Sequence, residues 1–275
     1  MDAVTGRLTG KVAFITGAAR GQGRSHAIRL ASEGADVILS DICGPVSDSA
    51  QQAPSAPDEL EQTVKAVEAL GRRVIWDQVD VRDLVAMCAL ADRGAAELGH
   101  IDIVVGNAAI LIWSKTHELT PQQWQDVIDV NLTGVYHTVQ CTLPHLLRQG
   151  TGGSIILTSS FAALKGTPFT LSYTAAKYGV IGIAKSIAHE YGDYNIRANT
   201  VHPCGVNTVM GTEAAGLMEL VGERGATVGP LFMNTLPVPM IEPEDVSATV
   251  AWLASDDAKY VTGAQIPVDA GAGDR

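Results

Sequence analysis

Short apolar runs rich in β-branched residues recur along this chain at 12–16, 36–41, 73–80, 101–107, 154–159, 197–202 and 265–268. Longer helix-like stretches separate them. Strands alternating with helices at this spacing predict a parallel sheet covered on both faces, because each parallel crossover lays a helix over the sheet. Seven such strands with no compositional break predict one doubly wound α/β domain over residues 1–275. The helix starts agree. Thr120-Pro121-Gln122-Gln123 offers a Thr cap, Pro in the first turn and Gln at the third position. Pro243-Glu244-Asp245 puts acidic residues at the positive end of another helix.

Two stretches break the rhythm. Residues 43–58 are rich in Ser, Pro, Ala and Gln. They lie between the second strand and the next helix, where a few residues normally suffice. This insertion reads equally well as a floppy loop or a functional one. Residues 210–241 hold Gly, Met, Leu and three Pro, with little charge from Ala226 onward. They predict an apolar lid over a pocket.

The first strand runs into Thr16-Gly17-Ala18-Ala19-Arg20-Gly21-Gln22-Gly23 and then a helical segment through Ser32. A glycine turn between strand and helix lets a pyrophosphate approach backbone N–H groups at the helix's positive end, as in Rossmann-type folds. Asp41 ends the second strand. A carboxylate there accepts from a ribose 2′-hydroxyl and repels a 2′-phosphate, which predicts NAD over NADP. Arg20 weighs the other way, since it has the charge to pair with a phosphate. Asp80-Val81 after the third strand and Asn107-Ala108-Ala109 after the fourth lie at the same sheet edge. Asp80-Val81 reads as an adenine contact and Asn107–Ala109 as part of the cofactor site, or either as a plain strand-end cap.

Tyr173 and Lys177 stand four residues apart in Ser-Tyr-Thr-Ala-Ala-Lys, so they share a helix face. An ammonium about 4 Å from a phenol favours the phenolate by roughly 4 kcal/mol at an effective dielectric near 20. Ser160 lies upstream in Leu-Thr-Ser-Ser.

Composition narrows the partners. Net charge is −11 with pI near 5.0, which argues against nucleic acid and anionic membrane surfaces. The cysteines, Cys43, Cys88, Cys141 and Cys204, form no Cys-x-x-Cys pair and read as reduced thiols. With no apolar signal core and no stretch resembling a membrane span, the chain reads as cytoplasmic. The seven histidines show no metal spacing, so no metal is expected. His189 and His202 read as surface or helix-end residues.

Taken in order, Thr16–Gly23, Asp80, Asn107–Ala109, Asn131, Ser160, Tyr173 and Lys177 resemble the short-chain dehydrogenase/reductase family from Lys11 to Gly271. The resemblance implies a seven-stranded Rossmann-type sheet, usually in a homotetramer. It implies Tyr173 as general acid/base, and Lys177 holding the nicotinamide ribose and lowering the tyrosine pKa. It further implies Ser160 binding the substrate oxygen and Asn131 helping to hold a water linked to Lys177. Pro203, Val206 and Thr208 match the family's loop beside nicotinamide, with Thr208 as carboxamide contact. Ala109, Cys204 and Ala270 stand where the family commonly has Gly. Cys204 reads as reactive or, more simply, as a small inert hydrophobe.

The insertion, together with Gly17 to His26, is similar to the carveol-dehydrogenase-like, mycofactocin-associated subgroup. There the insertion helps retain NAD, so that reoxidation needs a redox partner. The expected substrate is a small hydrophobic secondary alcohol or ketone. Leu111, Trp113, Phe161, Phe169, Met210, Leu231 and Phe232 read as pocket lining, core or subunit contact. A 3-oxoacyl-(acyl-carrier-protein) reductase is the alternative enzyme, disfavoured by Asp41 and the acidic charge. A non-catalytic dinucleotide-sensing protein is the alternative outside enzymes.

Overall fold

The structure is a computed structural model that describes residues 6–274; the remainder of the predicted 1–275 domain lies outside them. Seven strands form one parallel sheet: β1 Val12–Thr16, β2 Asp36–Asp41, β3 Val74–Gln78, β4 Ile103–Gly106, β5 Gly153–Thr158, β6 Ile196–Pro203 and β7 Gln265–Val268. Their order is β3-β2-β1-β4-β5-β6-β7. The expected doubly wound sheet is present. The third and fourth strands are shorter than the apolar runs at 73–80 and 101–107. Flanking residues such as Arg73, Val79 and Asp102 still share single backbone hydrogen bonds with neighbouring strands.

The crossovers are α1 Gly21–Ser32, α2 Pro57–Ala69, α3 Leu84–Leu98, α4 Pro121–Ile128 and α5 Gly134–Gln149. After β5 come a short α6 Ala162–Lys165 and the long α7 Leu171–Glu190. The segment predicted as a lid is mostly helical, in α8 Val209–Thr212, α9 Ala215–Glu223 and α10 Gly225–Val228. The last helix, α11 Pro243–Ala254, precedes β7. The predicted cap on α4 is a full capping box: Gln123 N donates to Thr120 Oγ1 at 3.2 Å and Thr120 N donates to Gln123 Oε1 at 3.0 Å.

Strand side chains alternate between two cores. Phe14 faces one with Met87, Val139 and Val180 from α3, α5 and α7. Its neighbour Ile15 faces the other with Leu30, Val64 and Val250 from α1, α2 and α11. Each helix layer hides one face, so the sheet's carboxyl edge is left for chemistry. The strand order reverses between β1 and β4, where a crevice opens beyond the strand ends.

Candidate active site

A cavity of about 550 Å³ occupies that crevice. From β1 and β2 it is lined by Gly17, Arg20, Gly21, Gln22 and Asp41, and from β3 and β4 by Asp80, Val81, Asn107 and Ala108. From β5 onward Ser160, Tyr173, Lys177, Pro203, Val206 and Thr208 complete the wall. Two predicted residues lie behind the wall. Gly23 packs against the turn itself: a Cβ there would meet the Gly17 oxygen at 1.9 Å, so only glycine lets the turn close. Asn131 is fully buried in a π-helical turn, Asp129–Thr133. Its side chain accepts from Ile110 N and donates to Ile110 O, both at 2.8 Å. Through both ends of its amide it pins the chain after β4.

Asp41 is more heavily used than its sequence position implies. One oxygen accepts from Ala19 N at 3.0 Å; the other accepts from Cys43 N at 3.0 Å and from the Ser55 hydroxyl at 2.6 Å. Cys43 opens the insertion and Ser55 lies near its end, so one carboxylate joins both ends of the insertion to the glycine turn. Arg20 is also spent on the insertion. Its guanidinium donates to the carbonyls of Ala53 and Pro54 and lies 3.6 Å from Glu59. With its charge met there, Arg20 does not offer a 2′-phosphate site. The insertion is therefore an anchored strap across the cleft. Asp80, half-exposed on the cavity wall, is held by Arg82 at 2.5 Å.

Two buried polar atoms on the wall, Gln22 Oε1 and Thr158 Oγ1, have no hydrogen-bond partner among the described residues. Orphaned buried groups cost free energy, so a polar ligand between them is the natural complement. Together with the glycine turn they fit a dinucleotide.

At the other end, α7 carries Tyr173 and Lys177. Tyr173 borders the cavity and Lys177 is buried behind it, with Nζ donating to Thr158 O at 2.7 Å and lying 5.6 Å from the Tyr173 ring centre. Burial pushes Lys177 down to about 7. Burial also raises Tyr173 above its usual value, and a hydrogen bond with Ser160 pulls the other way. Burial is the larger of these two effects on the phenol.

His202 departs from its sequence reading. It is fully buried on β6, with Nδ1 3.0 Å from Ser160 O and Nε2 2.7 Å from Thr200 Oγ1. A carbonyl only accepts, so Nδ1 carries the proton and the ring steadies the serine's backbone. Burial keeps its pKa below the usual histidine range. His189 is exposed, as read. Burial pushes the Cys204 thiol up to about 11, which makes it inert near neutral pH. Ala270, where the family commonly has Gly, adopts φ 51°, a left-handed conformation. Its carbonyl is held by Thr235 N and Leu236 N at 2.8 and 2.9 Å. Of the proposed pocket residues, Leu111, Phe161, Met210 and Phe232 line the cavity. Trp113 and Phe169 instead pack against the small cluster of Ala214, Leu217, Val221 and Val228. Leu231 does neither.

A glycine turn at a sheet switch point, with Ser160, Tyr173 and Lys177 at the far end of one cavity, defines a dinucleotide-dependent oxidoreductase. Comparison with known proteins agrees. The family described as enoyl-(acyl carrier protein) reductase matches residues 17–273. (−)-trans-Carveol dehydrogenase of Rhodococcus erythropolis is 47% identical over 272 residues, covering 96% of this chain and 98% of that protein. A short-chain dehydrogenase from Mycobacterium paratuberculosis, solved bound to NAD, superimposes with a TM-score of 0.96 at 45% identity, covering 98% of this chain and 100% of the other. Carveol dehydrogenase from Mycobacterium avium, solved in complex with NAD, gives 0.93 at 46% identity with the same coverage. The chain belongs to the short-chain dehydrogenase/reductase family.

Among the described residues no helix is long and apolar enough to cross a membrane. No group of three or more His, Cys, Asp or Glu among them is arranged to hold a metal ion.

Proposed function

We propose that this protein is an NAD-dependent dehydrogenase that interconverts a hydrophobic secondary alcohol and its ketone. The reading is carried by one observation: Ser160, Tyr173 and Lys177 share an apolar chamber continuous with the glycine turn. Bound NAD would supply the hydride acceptor for the carbinol carbon. Tyr173 Oη takes the hydroxyl proton as the C–H bond breaks and the C=O bond forms. Ser160 donates a hydrogen bond to that oxygen. Ketone reduction returns the same proton. Lys177 stands beside the phenol, where its protonated form would favour the phenolate, and would bind the ribose. Asp41 would hold the adenosine ribose, and Thr208, beside Gly21, would hold the carboxamide.

The chamber walls are mostly apolar, with Phe161, Leu217, Met218 and Phe232 among them. That favours a cyclic hydrophobic alcohol, and carveol, the substrate in the relatives' names, is the natural first probe. The strap's bonds to Asp41 and Arg20 support the mycofactocin-associated reading, in which NAD is retained and a separate redox partner reoxidises it. Exposed Tyr136 on α5 and Tyr178 on α7 support a homotetramer built on these helices. Four free cysteines support a reducing, cytoplasmic setting.

Mass analysis of the purified protein should find bound NAD. After stripping, NADH should bind at least about tenfold more tightly than NADPH, a difference of roughly 1.4 kcal/mol. A preference for NADPH would overturn the cofactor assignment.

The pH dependence follows from Tyr173. Alcohol oxidation needs its phenolate, and burial raises its pKa. Single-turnover oxidation should therefore accelerate from about pH 7 to about pH 10, on either side of which the free phenol is neutral or half-ionised. Ketone reduction needs the phenol and should slow over the same range. An oxidation rate that is flat or falls with pH would remove Tyr173 as the base.

A further inference from the structure

The strap also reaches the substrate side of the cavity. Beyond β4 the chain runs from Asn107 to Lys115 with no strand or helix. Ile110 is pinned from below by Asn131, and Ser114 N donates to Phe169 O at 2.8 Å. Between them, Leu111 and Trp113 are held from above by two consecutive glutamines of the strap. Leu111 N donates to Gln52 Oε1 at 3.3 Å, and Gln52 Nε2 donates back to Leu111 O at 2.8 Å. Trp113 N donates to Gln51 Oε1 at 2.8 Å, and Gln51 Nε2 donates to Trp113 O at 3.2 Å. Residues two apart in extended chain present their backbone groups to the same side. The two side-chain amides thus replace the ladder that a neighbouring strand would supply.

Leu111 lines the cavity, and Trp113 seats the lid helix α9 through Leu217 and Val221. Ala53, the next strap residue, donates its N–H to Glu213 Oε2 at 2.8 Å, just ahead of α9. Wall, lid and strap are therefore one bonded unit.

We propose that Gln51 and Gln52 are positioning residues of the substrate site, through which the strap shapes the alcohol-binding wall as well as covering the nucleotide. This rests on the alcohol-dehydrogenase reading above. The test uses full-length protein loaded with NAD and mixed with carveol, following bound NADH in a single turnover. The Gln51→Met/Gln52→Met variant keeps side-chain length and loses all four bonds. Its half-saturating carveol concentration should rise about tenfold, the scale expected for losing several modest hydrogen bonds. Its limiting rate should change by less than about threefold, because no reacting group is touched. Each single variant should give an intermediate rise, so poor folding of the double variant leaves the test intact. The proposal is overturned if half-saturation is unchanged, including the case where only NADH release from the variant speeds up. If wild-type protein oxidises neither carveol nor a panel of cyclic secondary alcohols, the alcohol-dehydrogenase reading fails instead.

Discussion

Tyr173→Phe should abolish nearly all turnover while leaving nucleotide binding and the melting temperature close to wild type. The substitution deletes one oxygen and keeps the ring that packs on the core side of α7. General acid–base help of this kind contributes about 10²–10⁴ in rate. No neighbour takes over. Lys177 Nζ is turned to the Thr158 carbonyl, and burial holds the Cys204 thiol protonated. The single-turnover rate of the NAD-loaded variant, set beside its NADH affinity, checks this. A rate within a few-fold of wild type would end the assignment of Tyr173 as the proton carrier.

Asp41→Ala should weaken NADH binding and destabilise the strap together. The carboxylate is buried and satisfies Ala19 N, Cys43 N and the Ser55 hydroxyl. Leaving a buried donor unpaired costs about 1–3 kcal/mol, so the two backbone N–H groups alone amount to roughly 2–6 kcal/mol. Cys43 also adopts φ 46°, a left-handed conformation that non-glycine residues avoid, and the Asp41 bond holds it there. A lower melting temperature and loss of co-purified nucleotide are the expected readouts. Asp41→Asn should recover only part, because one amide end presents a donor where an acceptor is needed. If NADH affinity and melting temperature both stay at wild-type values in Asp41→Ala, Asp41 is neither clasp nor ribose site.

Much of the site was legible because it lies on local signals. The glycine turn follows β1 directly, and Tyr173 and Lys177 share one helical face. Asp41, Asp80 and Asn107 each lie at or just after a strand end, and parallel strands deliver their ends to one edge. Other residues gave no local signal. Gln51 and Gln52 lie in a polar stretch, and nothing near them in sequence points to Leu111 and Trp113. His202 is a lone histidine whose partner, Ser160, is reached only by pairing β5 with β6. For Trp113 and Phe169, pocket lining, core and subunit contact read alike in sequence, and the fold packs both against the small apolar cluster around α9.

By itself, the sequence determined the strand count, the parallel sheet, the nucleotide turn and the pairing of Tyr173 with Lys177 on one helix face, because periodicity and short spacings are properties of neighbouring residues. Tertiary structure alone decided three further matters. It spent Arg20 on the strap, and it buried Tyr173 and Lys177 together, which raises the phenol's pKa and lowers the amine's. It also turned the insertion at 43–58 from a possible floppy loop into an anchored strap. All three depend on distant groups meeting where water is excluded. Burial and hydrogen-bond partnership across tens of residues become defined only when the chain has folded.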